Sequence, residues 1–339
     1  MKKYLLPKEG KFYKANLHMH TTISDGRMTL EETKREFMKH GYSIVAFTDH
    51  EIMVPHKELT DDNFLAITST EIIVNLENHN DFGYIKTYHL NIYFPIENKS
   101  DYNTFNKDIM WLKHSYDYIT DKQDKIKYQR KYGVEHINEI IQKAKGENCL
   151  VSYNHPVWSL QDYSDYSELK GLWGVEWHNT GCVRAGFEDS MQPIDDLLRK
   201  GERVYPLATD DAHHIDDCFG GFVMVKAKQL EYSVVFDALR NGDFYSSRGP
   251  EIFELTYEDG KVNVKTSPAR RIYLSTERRE TRWVEAKQEL LTEATFDIND
   301  YLRRIGGVEH NNQYIRLTVI DKEGKRAHTR AYFVDELTK

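Results

Sequence analysis

Two histidines separated by one residue stand near the start of this chain. His18 and His20 lie in "ANLHMHTTISDG", residues 15–26, and Asp25 follows five residues after His20. In a β-strand, residues i and i+2 point to the same side, so both imidazoles can reach a single ion. Histidine nitrogens and carboxylate oxygens suit Zn²⁺, Mn²⁺ or Fe²⁺. The segment therefore predicts one wall of a metal site.

Residues of the same ligand types recur in other apolar runs. Together they are too many for one ion, so we expect a cluster of two or three divalent ions (Zn, Mn or Fe), with a carboxylate as the bridge. Such a cluster creates a hydroxide nucleophile near neutral pH and polarises a phosphoryl or carbonyl oxygen. The residues are His50 in "VAFTDH", Glu71 (the expected bridge) in "ITSTE", His89 in "YHLNIYF", His155 after "LVSYN", and Asp211 and His213 in "YPLATDDAH".

Histidines that do not end a strand beside other ligands are interpreted differently. A lone histidine in a folded chain is usually a satisfied core or surface residue. This interpretation covers His40, His56, His79, His136, His310 and His328.

The elements that must position the ligands alternate between strand and helix over residues 15–248. "YSIVAFTD" (42–49) reads as a strand, and Thr29 with Glu32 has the capping-box spacing that begins a helix over 30–40. Repeated βα units predict a mainly parallel sheet, either open or closed as a barrel. Because the carboxyl ends of such strands meet on one face, ligands far apart in sequence should meet in space.

Two stretches depart from this alternation. Residues 97–133 are polar, with Trp111 and His114 inside, and are either a lid or substrate loop or a solvated excursion with no role. Residues 249–339 are strand-like with little helix, which predicts a small all-β, sandwich-like module after a domain spanning 1–248.

Composition excludes several classes of protein. The 339 residues carry a net charge of -8, which argues against a duplex nucleic-acid partner and leaves a small molecule as the expected one. Cys149, Cys182 and Cys218 are too few and too widely spaced for a disulfide framework or a thiolate zinc site. No run is long enough to span a membrane, so we expect a cytoplasmic protein. The sequence leaves the oligomeric state open.

The motifs "HMHTTISDG", "FTDH", Glu71, "YNHP" and "TDDAH" together resemble the polymerase and histidinol phosphatase (PHP) superfamily over residues 13–248. "FYSSRGPE" and the strands after it resemble its CehA/McbA-like metallohydrolases. The resemblance implies a distorted (β/α)7 TIM-like barrel with a trinuclear metal centre. "ATDDAHH" also offers Asp210 and His214, but the D-x-H spacing matches the motif. The implied ligands are His18, His20, Glu71 and Asp211 for the first metal, Glu71, His89 and His155 for the second, and Asp25, His50 and His213 for the third.

These patterns predict a metal-dependent phosphoesterase acting on a small phosphate ester or short nucleotide. The alternatives are an amide or carbamate hydrolase with the same cluster, and a non-catalytic binding module. His178 in "EWHN" is a candidate to touch substrate or protonate a leaving group. Arg184 is a candidate phosphate clamp, and Arg248 either a second clamp or a contact to the C-terminal module. A cation at the mouth favours the phosphoester, whereas an aromatic mouth favours the amide. Tryptophans near the expected loops are Trp111, Trp158, Trp173 and Trp177.

Overall fold

The structure is a computed structural model and describes residues 2–76, 86–305 and 312–338. His79 and His310 lie outside the described residues. The strands are β1 (Lys3–Tyr4), β2 (Lys11–Asn16), β3 (Tyr42–Phe47), β4 (Leu65–Asn75), β5 (Thr87–Tyr93), β6 (Leu150–Tyr153), β7 (Gly174–Asn179), β8 (Tyr205–Thr209), β9 (Phe222–Ala227), β10 (Phe244–Ser247), β11 (Ile252–Glu258), β12 (Lys261–Ala269), β13 (Arg271–Thr276), β14 (Thr281–Glu285), β15 (Leu291–Asp297), β16 (Tyr314–Ile320), β17 (Arg326–Thr329) and β18 (Tyr332–Phe333).

The helices lie where amphipathic segments follow strands. The predicted capping box is present at α1: the Thr29 hydroxyl accepts from Glu32 N at 3.2 Å, and Thr29 N donates to the Glu32 carboxylate at 3.0 Å. The α-helices are α1 (Leu30–Lys39), α2 (Val134–Gly146), α3 (Tyr163–Tyr166), α4 (Thr180–Arg184), α5 (Gln192–Arg199), α6 (Tyr232–Asn241), α7 (Asn299–Ile305) and α8 (Val334–Thr338), and 3₁₀ helices cover 57–59, 107–109, 113–118, 123–125 and 215–217. None of them is long and apolar enough to cross a membrane.

A mixed sheet carries the predicted ligands. Its central strands run in the order β9-β2-β3-β4-β5-β6-β7-β8. β2, β3 and β4 are mutually parallel, as are β6, β7 and β8, but β5 is antiparallel to both its neighbours. The link from Asn75 to Thr87 is shorter than the dozen or more residues that a parallel crossover needs, so β5 returns beside β4 in the opposite direction. The predicted mainly parallel sheet is therefore interrupted at this strand.

β2 and β8, the first and last of the arc of strands that lead into ligands, are joined by a single bridge. Met19, after β2, pairs with Ala212, after β8. Asp211 N donates to His18 O at 3.0 Å, and His20 N donates to Ala212 O at 3.2 Å. Among the described strands no ladder joins β8 to β2, so the predicted barrel is not closed by continuous strand pairing. The bridge nevertheless brings the first and last carboxyl ends of the arc together.

The chain after residue 248 extends two sheets. β11, β12 and β15 form a four-stranded sheet with β1, whereas β13, β14, β16, β17 and β18 continue the large sheet through the pairing of β17 with β10. Side chains such as Leu255, Val264, Leu274 and Leu317 pack together in one apolar core. The region also contains α7 and α8, which the sequence reading did not predict. The domain boundary at 248 stays a prediction.

Candidate metal centre

All nine predicted ligands come together at one end of the strands. Seven lie in the loops that follow β2, β3, β6 and β8, whereas Glu71 lies within β4 and His89 lies near the amino end of the antiparallel β5. Their ligand atoms form three groups, and within each group the atoms lie within 4.8 Å of one another. The groups are His18, His20, Glu71 and Asp211; Glu71, His89 and His155; and His20, Asp25, His50 and His213.

The first group is built around the "HMH" segment. The Nε2 atoms of His18 and His20 lie 3.2 Å apart, and each is 3.1 Å from Asp211 Oδ1. Each also lies 3.3 Å from an oxygen of Glu71. The i, i+2 spacing thus places both rings on the same side, around a point that carboxylate oxygens also reach.

The second group shares Glu71 with the first. Glu71 Oε1 lies 3.1 Å from His89 Nδ1 and 3.4 Å from His155 Nε2. Its other oxygen, Oε2, lies 3.3 Å from His20 Nε2 in the first group. One buried carboxylate therefore spans two neighbouring groups, which is the arrangement expected of a bridging ligand.

The third group lies toward solvent. Asp25 Oδ1 is 3.4 Å from His213 Nε2 and 3.7 Å from His20 Nδ1, and Asp25 Oδ2 is 3.7 Å from His50 Nε2. The side chains of Asp25 and His213 are 25% and 28% exposed, more than any other member of the cluster. His20 faces this group as well as the first, a double position that the sequence did not assign to it.

Asp49, the residue before the ligand His50, holds the turn that carries Asp25. The Asp49 carboxylate accepts from Thr21 N at 2.8 Å and from the Ser24 hydroxyl at 2.7 Å. At Gly26 an added Cβ would lie 2.2 Å from the carbonyl oxygen of His20, so the turn can close only with glycine there. Sequence reasoning missed Asp49, although it stands directly before His50 in "FTDH".

Asp210 and Asp211, the two adjacent aspartates after β8, make different contacts. Asp211 enters the first group, with its backbone in the left-handed region at φ 51°, a conformation that is uncommon for non-glycine residues but that aspartate tolerates. The Asp210 carboxylate instead accepts the backbone N–H groups of residues 219–221 at 2.8–3.0 Å and the Thr180 hydroxyl at 2.7 Å. His213 faces Asp25, whereas His214 N donates to Asp217.

Charge within the cluster shifts the pKa values of its members. Burial alone would lower the pKa of His20, but the carboxylates of Asp211 and Glu71 outweigh it and raise that pKa to about 10. Burial and repulsion from His20 lower the pKa of His50 to about 3. Burial would raise the pKa of Glu71, but the surrounding histidines hold it well below its usual value. The carboxylate is thus kept ionised, the form that binds metal.

The donor set fits divalent cations. Among the described residues, every ion-pair partner of Asp25, Glu71 and Asp211 is a histidine, and none is a lysine or arginine. Glu71 Oε2, Asp211 Oδ1 and His50 Nδ1 are buried and have no hydrogen-bond partner. Buried carboxylates need a compensating charge, and metal ions at the three groups would supply it.

A buried carboxylate that sequence reasoning missed stands behind His18. Glu176 Oε1 lies 2.7 Å from His18 Nδ1 and accepts from the Thr209 hydroxyl at 2.6 Å. Glu176 Oε2 accepts from His155 N and Asn179 Nδ2, both at 3.0 Å. Because a carboxylate only accepts, it holds the proton on His18 Nδ1 and leaves Nε2 for a metal. Its signal was a lone carboxylate in the apolar strand "GVEWHN".

The candidate substrate residues are engaged elsewhere in this conformation. The register of β7 shifts between Glu176 and His178, and the His178 nitrogens lie 2.7 Å from Asp189 and 3.0 Å from Thr180. Arg184 pairs with Asp217 at 2.5 Å. Their roles toward a substrate therefore stay predictions.

Arg248 contacts the same aspartate as His178. Its NH1 donates to Asp189 Oδ2 at 2.7 Å. The structure thus connects Arg248 through Asp189 to His178, rather than to the ligands of the cluster.

Residues 97–133 pack against the turns that carry two ligands. The buried Arg130 guanidinium pairs with Glu51, directly after His50, at 2.6 and 2.8 Å. His114 Nε2 lies 2.5 Å from Ser24 O in the Asp25 turn. The insertion therefore contacts the cluster's supporting turns, and both interpretations of its role, as a lid or substrate loop and as a solvated excursion with no role, stay predictions.

Two exposed tryptophans border the cluster. Trp111, from the insertion, is 51% exposed, and its ring centroid lies 6.0 Å from that of His50. Trp158 is 38% exposed, and its ring centroid lies 5.4 Å from that of His89 and 5.0 Å from that of His155. The other tryptophans named from the sequence, Trp173 and Trp177, are buried.

Comparison with known proteins finds similarity in structure only. No family model matches the chain, and no curated protein is significantly similar to it in sequence. A two-domain protein from Bacteroides vulgatus that contains a predicted PHP-like metal-dependent phosphoesterase is similar over 97% of this chain and 98% of its own, with 14% identity and a TM-score of 0.44.

Two further solved structures resemble part of the chain. An amidohydrolase from Chromobacterium violaceum with bound sulfate has 14% identity and a TM-score of 0.39 over 59% of this chain and 87% of its own. The lesion-specific endonuclease EndoQ from Pyrococcus furiosus has 14% identity and a TM-score of 0.40 over 68% of this chain and 56% of its own. At this level of similarity, the functional assignment depends on the residues of the chain itself.

Proposed function

We propose that this chain is a PHP-type metal-dependent hydrolase that cleaves a phosphate ester at a centre of two or three divalent ions. The observation that carries the proposal is the set of three overlapping donor groups joined by Glu71 and His20, with buried carboxylates that lack lysine or arginine partners. Sites with two adjacent metals are typical of phosphatases and nucleases. We further propose that the arc of strands is the distorted barrel of that fold, which the Met19–Ala212 bridge supports.

The residues of the three groups and their neighbours would have distinct roles in metal binding. His18, His20, Glu71 and Asp211 would hold one ion, Glu71, His89 and His155 a second, and Asp25, His50 and His213, with His20, a third. When bound, such ions polarise the phosphoryl oxygen and activate water near neutral pH. Glu176 orients His18, and Asn154 and Asn179 orient Glu71 and Asp211 by hydrogen bonds of 2.8 and 3.1 Å. The exposed edge at Asp25 and His213 is where substrate would enter.

A second candidate is hydrolysis of an amide or carbamate by the same centre. The observation that favours it is the aromatic border of the cluster, formed by Trp111 and Trp158, together with the pairing of Arg184 to Asp217 rather than to the mouth. Both candidates need the same metal centre, so they differ only in the bond that is cleaved.

The test joins metal analysis to hydrolysis of phosphomonoesters, phosphodiesters and aryl carbamates. His18→Ala and Asp211→Ala should each lower the metal content and abolish hydrolysis, because each removes a ligand of the first group. His136→Ala, on α2 and outside the three groups, is the matched control and should retain both metal and activity. Full activity in His18→Ala and Asp211→Ala would refute the proposal. Wild-type protein without metal or turnover would instead support a binding module.

A further inference from the structure

Two tryptophans border the ligands on one side of the cluster. Trp111, His50, His89 and Trp158 follow one another, with centroid distances of 6.0, 5.8 and 5.4 Å between successive rings. Both indoles are substantially exposed, so part of each ring is open to a ligand at the cluster. The edge at Asp25 and His213 is polar. A substrate whose reacting group lies on the cluster would therefore meet indole faces on one side.

Beside Trp158 a small cavity, with room for about one water molecule, continues this side of the site. It is bounded by the ligand His155 and by the apolar side chains of Val157, Val183 and Phe187. Its lining also includes Glu176, Glu188 and Asp189 but no lysine or arginine. An additional phosphate would be repelled beside these carboxylates, whereas a neutral planar ring would stack on the Trp158 indole across the opening of the cavity.

We propose that the substrate carries a neutral planar aromatic group that stacks on Trp158 at the mouth of this cavity, with Trp111 as a second contact. The inference rests on the proposed hydrolase function for the position of the reacting group, but it applies equally to a phosphate ester and to a carbamate. The aromatic group is either a nucleobase or a simple aryl ring, and both offer the same stacking face.

The experiment compares substrates that differ only in planarity. Benzyl phosphate and cyclohexylmethyl phosphate have the same phosphate and similar alkoxide leaving groups. The corresponding phosphonates, benzylphosphonate and cyclohexylmethylphosphonate, are not hydrolysed and report binding by calorimetry on the manganese-loaded protein. Adenosine 5′-monophosphate against ribose 5-phosphate tests a nucleobase in the same way.

Wild-type protein should bind benzylphosphonate about tenfold more tightly than cyclohexylmethylphosphonate, as expected for one stacked ring. Trp158→Ala should remove most of this preference, and Trp111→Ala a smaller part, about threefold, because Trp111 does not line the cavity. Trp283→Ala is the matched control, since Trp283 is 59% exposed on β14, in a strand that contributes no ligand, and it should change nothing.

The outcomes separate this inference from the proposed function. Equal binding of the two phosphonates by wild type, binding of neither, or a preference that Trp158→Ala leaves intact would overturn the aromatic assignment even if phosphate esters are hydrolysed. A Trp158-dependent preference in a protein that hydrolyses neither phosphate esters nor carbamates would support the aromatic site and refute the hydrolase. A preference for adenosine 5′-monophosphate that exceeds the benzyl preference would identify the ring as a nucleobase.

Discussion

His18 shows how a single side chain depends on residues that never touch the ion. Its Nε2 faces the first group while its Nδ1 is held by Glu176, which three further hydrogen bonds fix in turn. Burial would raise the pKa of Glu176, but His18 keeps it below its usual value, so the group behind the ligand is a charged acceptor. A carboxylate behind a metal-binding histidine raises its basicity and fixes its tautomer.

Replacement of Glu176 by glutamine should weaken metal binding without unfolding the protein. Glutamine keeps the shape and one acceptor oxygen but removes the charge, so we expect a loss of about tenfold or more in metal affinity. Competition titration with a chromophoric chelator measures this affinity. Glu285→Gln, on the exposed strand β14, is the control and should leave it unchanged. Equal affinities in the two variants would mean that Glu176 serves only packing.

At the scale of elements, the insertion over 97–133 is joined to the site by a buried ion pair. The side chains of Arg130 and Glu51 are 3% and 4% exposed, and Arg130 also donates to the carbonyl oxygen of Thr104 at 2.9 Å. Glu51 has a left-handed backbone at φ 64°, directly after the ligand His50. The pair therefore couples the insertion to the turn that presents His50.

Arg130→Met should lower the free energy of unfolding by about 3–5 kcal/mol, because it leaves the buried Glu51 carboxylate without a compensating charge, with only the backbone N–H of Ile73 donating to it among the described residues. The double variant Arg130→Met/Glu51→Gln removes that charge and should recover much of the loss. Urea unfolding followed by circular dichroism measures both. Arg304→Met breaks an exposed pair with Glu280 and should cost about 0–1 kcal/mol. A loss at Arg130 no larger than this control would contradict the buried-pair account.

At the scale of the whole molecule, the ligand-bearing strands share one sheet with β13, β14, β16, β17 and β18 from the chain after residue 248. β10 pairs with β9 on one side and with β17 on the other. His328 of β17 is buried there, with its ring 4.6 Å from Trp177 and its Nδ1 2.9 Å from the Thr318 hydroxyl. Burial, with Arg316 and Arg326 nearby, lowers the pKa of His328 well below 6.5.

Stability should therefore fall as the pH drops below about 6.5 at this junction. There the unfolded chain binds a proton at His328 and the folded chain does not, so acid favours unfolding by about 1.4 kcal/mol per pH unit. His328→Gln keeps the hydrogen bond to Thr318 but cannot titrate. The difference in unfolding free energy between wild type and His328→Gln, measured on metal-free protein at pH 7.5 and 5.5, should shrink or reverse in favour of the variant at the lower pH. A difference independent of pH would contradict the prediction.

The sequence by itself determined which residues could bind metal and roughly where they lie on the fold. Ligand types, i, i+2 spacing and strand-end positions are local properties, so "HMH", "FTDH" and "YNHP" could be read without knowing what they face. The helix start at Thr29 was equally local, since a capping box involves only neighbouring residues.

Only the tertiary structure decided how these parts meet. The antiparallel β5, the pairing of His178 with Asp189, and the contacts of Asp210 with the backbone of residues 219–221 each depend on segments that are apart in sequence. The position of Glu176 behind His18, 158 residues away in sequence, could not be read from either motif. A local stretch of sequence indicates which chemistry its side chains can perform. The partners of those side chains depend on the register and packing between strands, which no local pattern encodes.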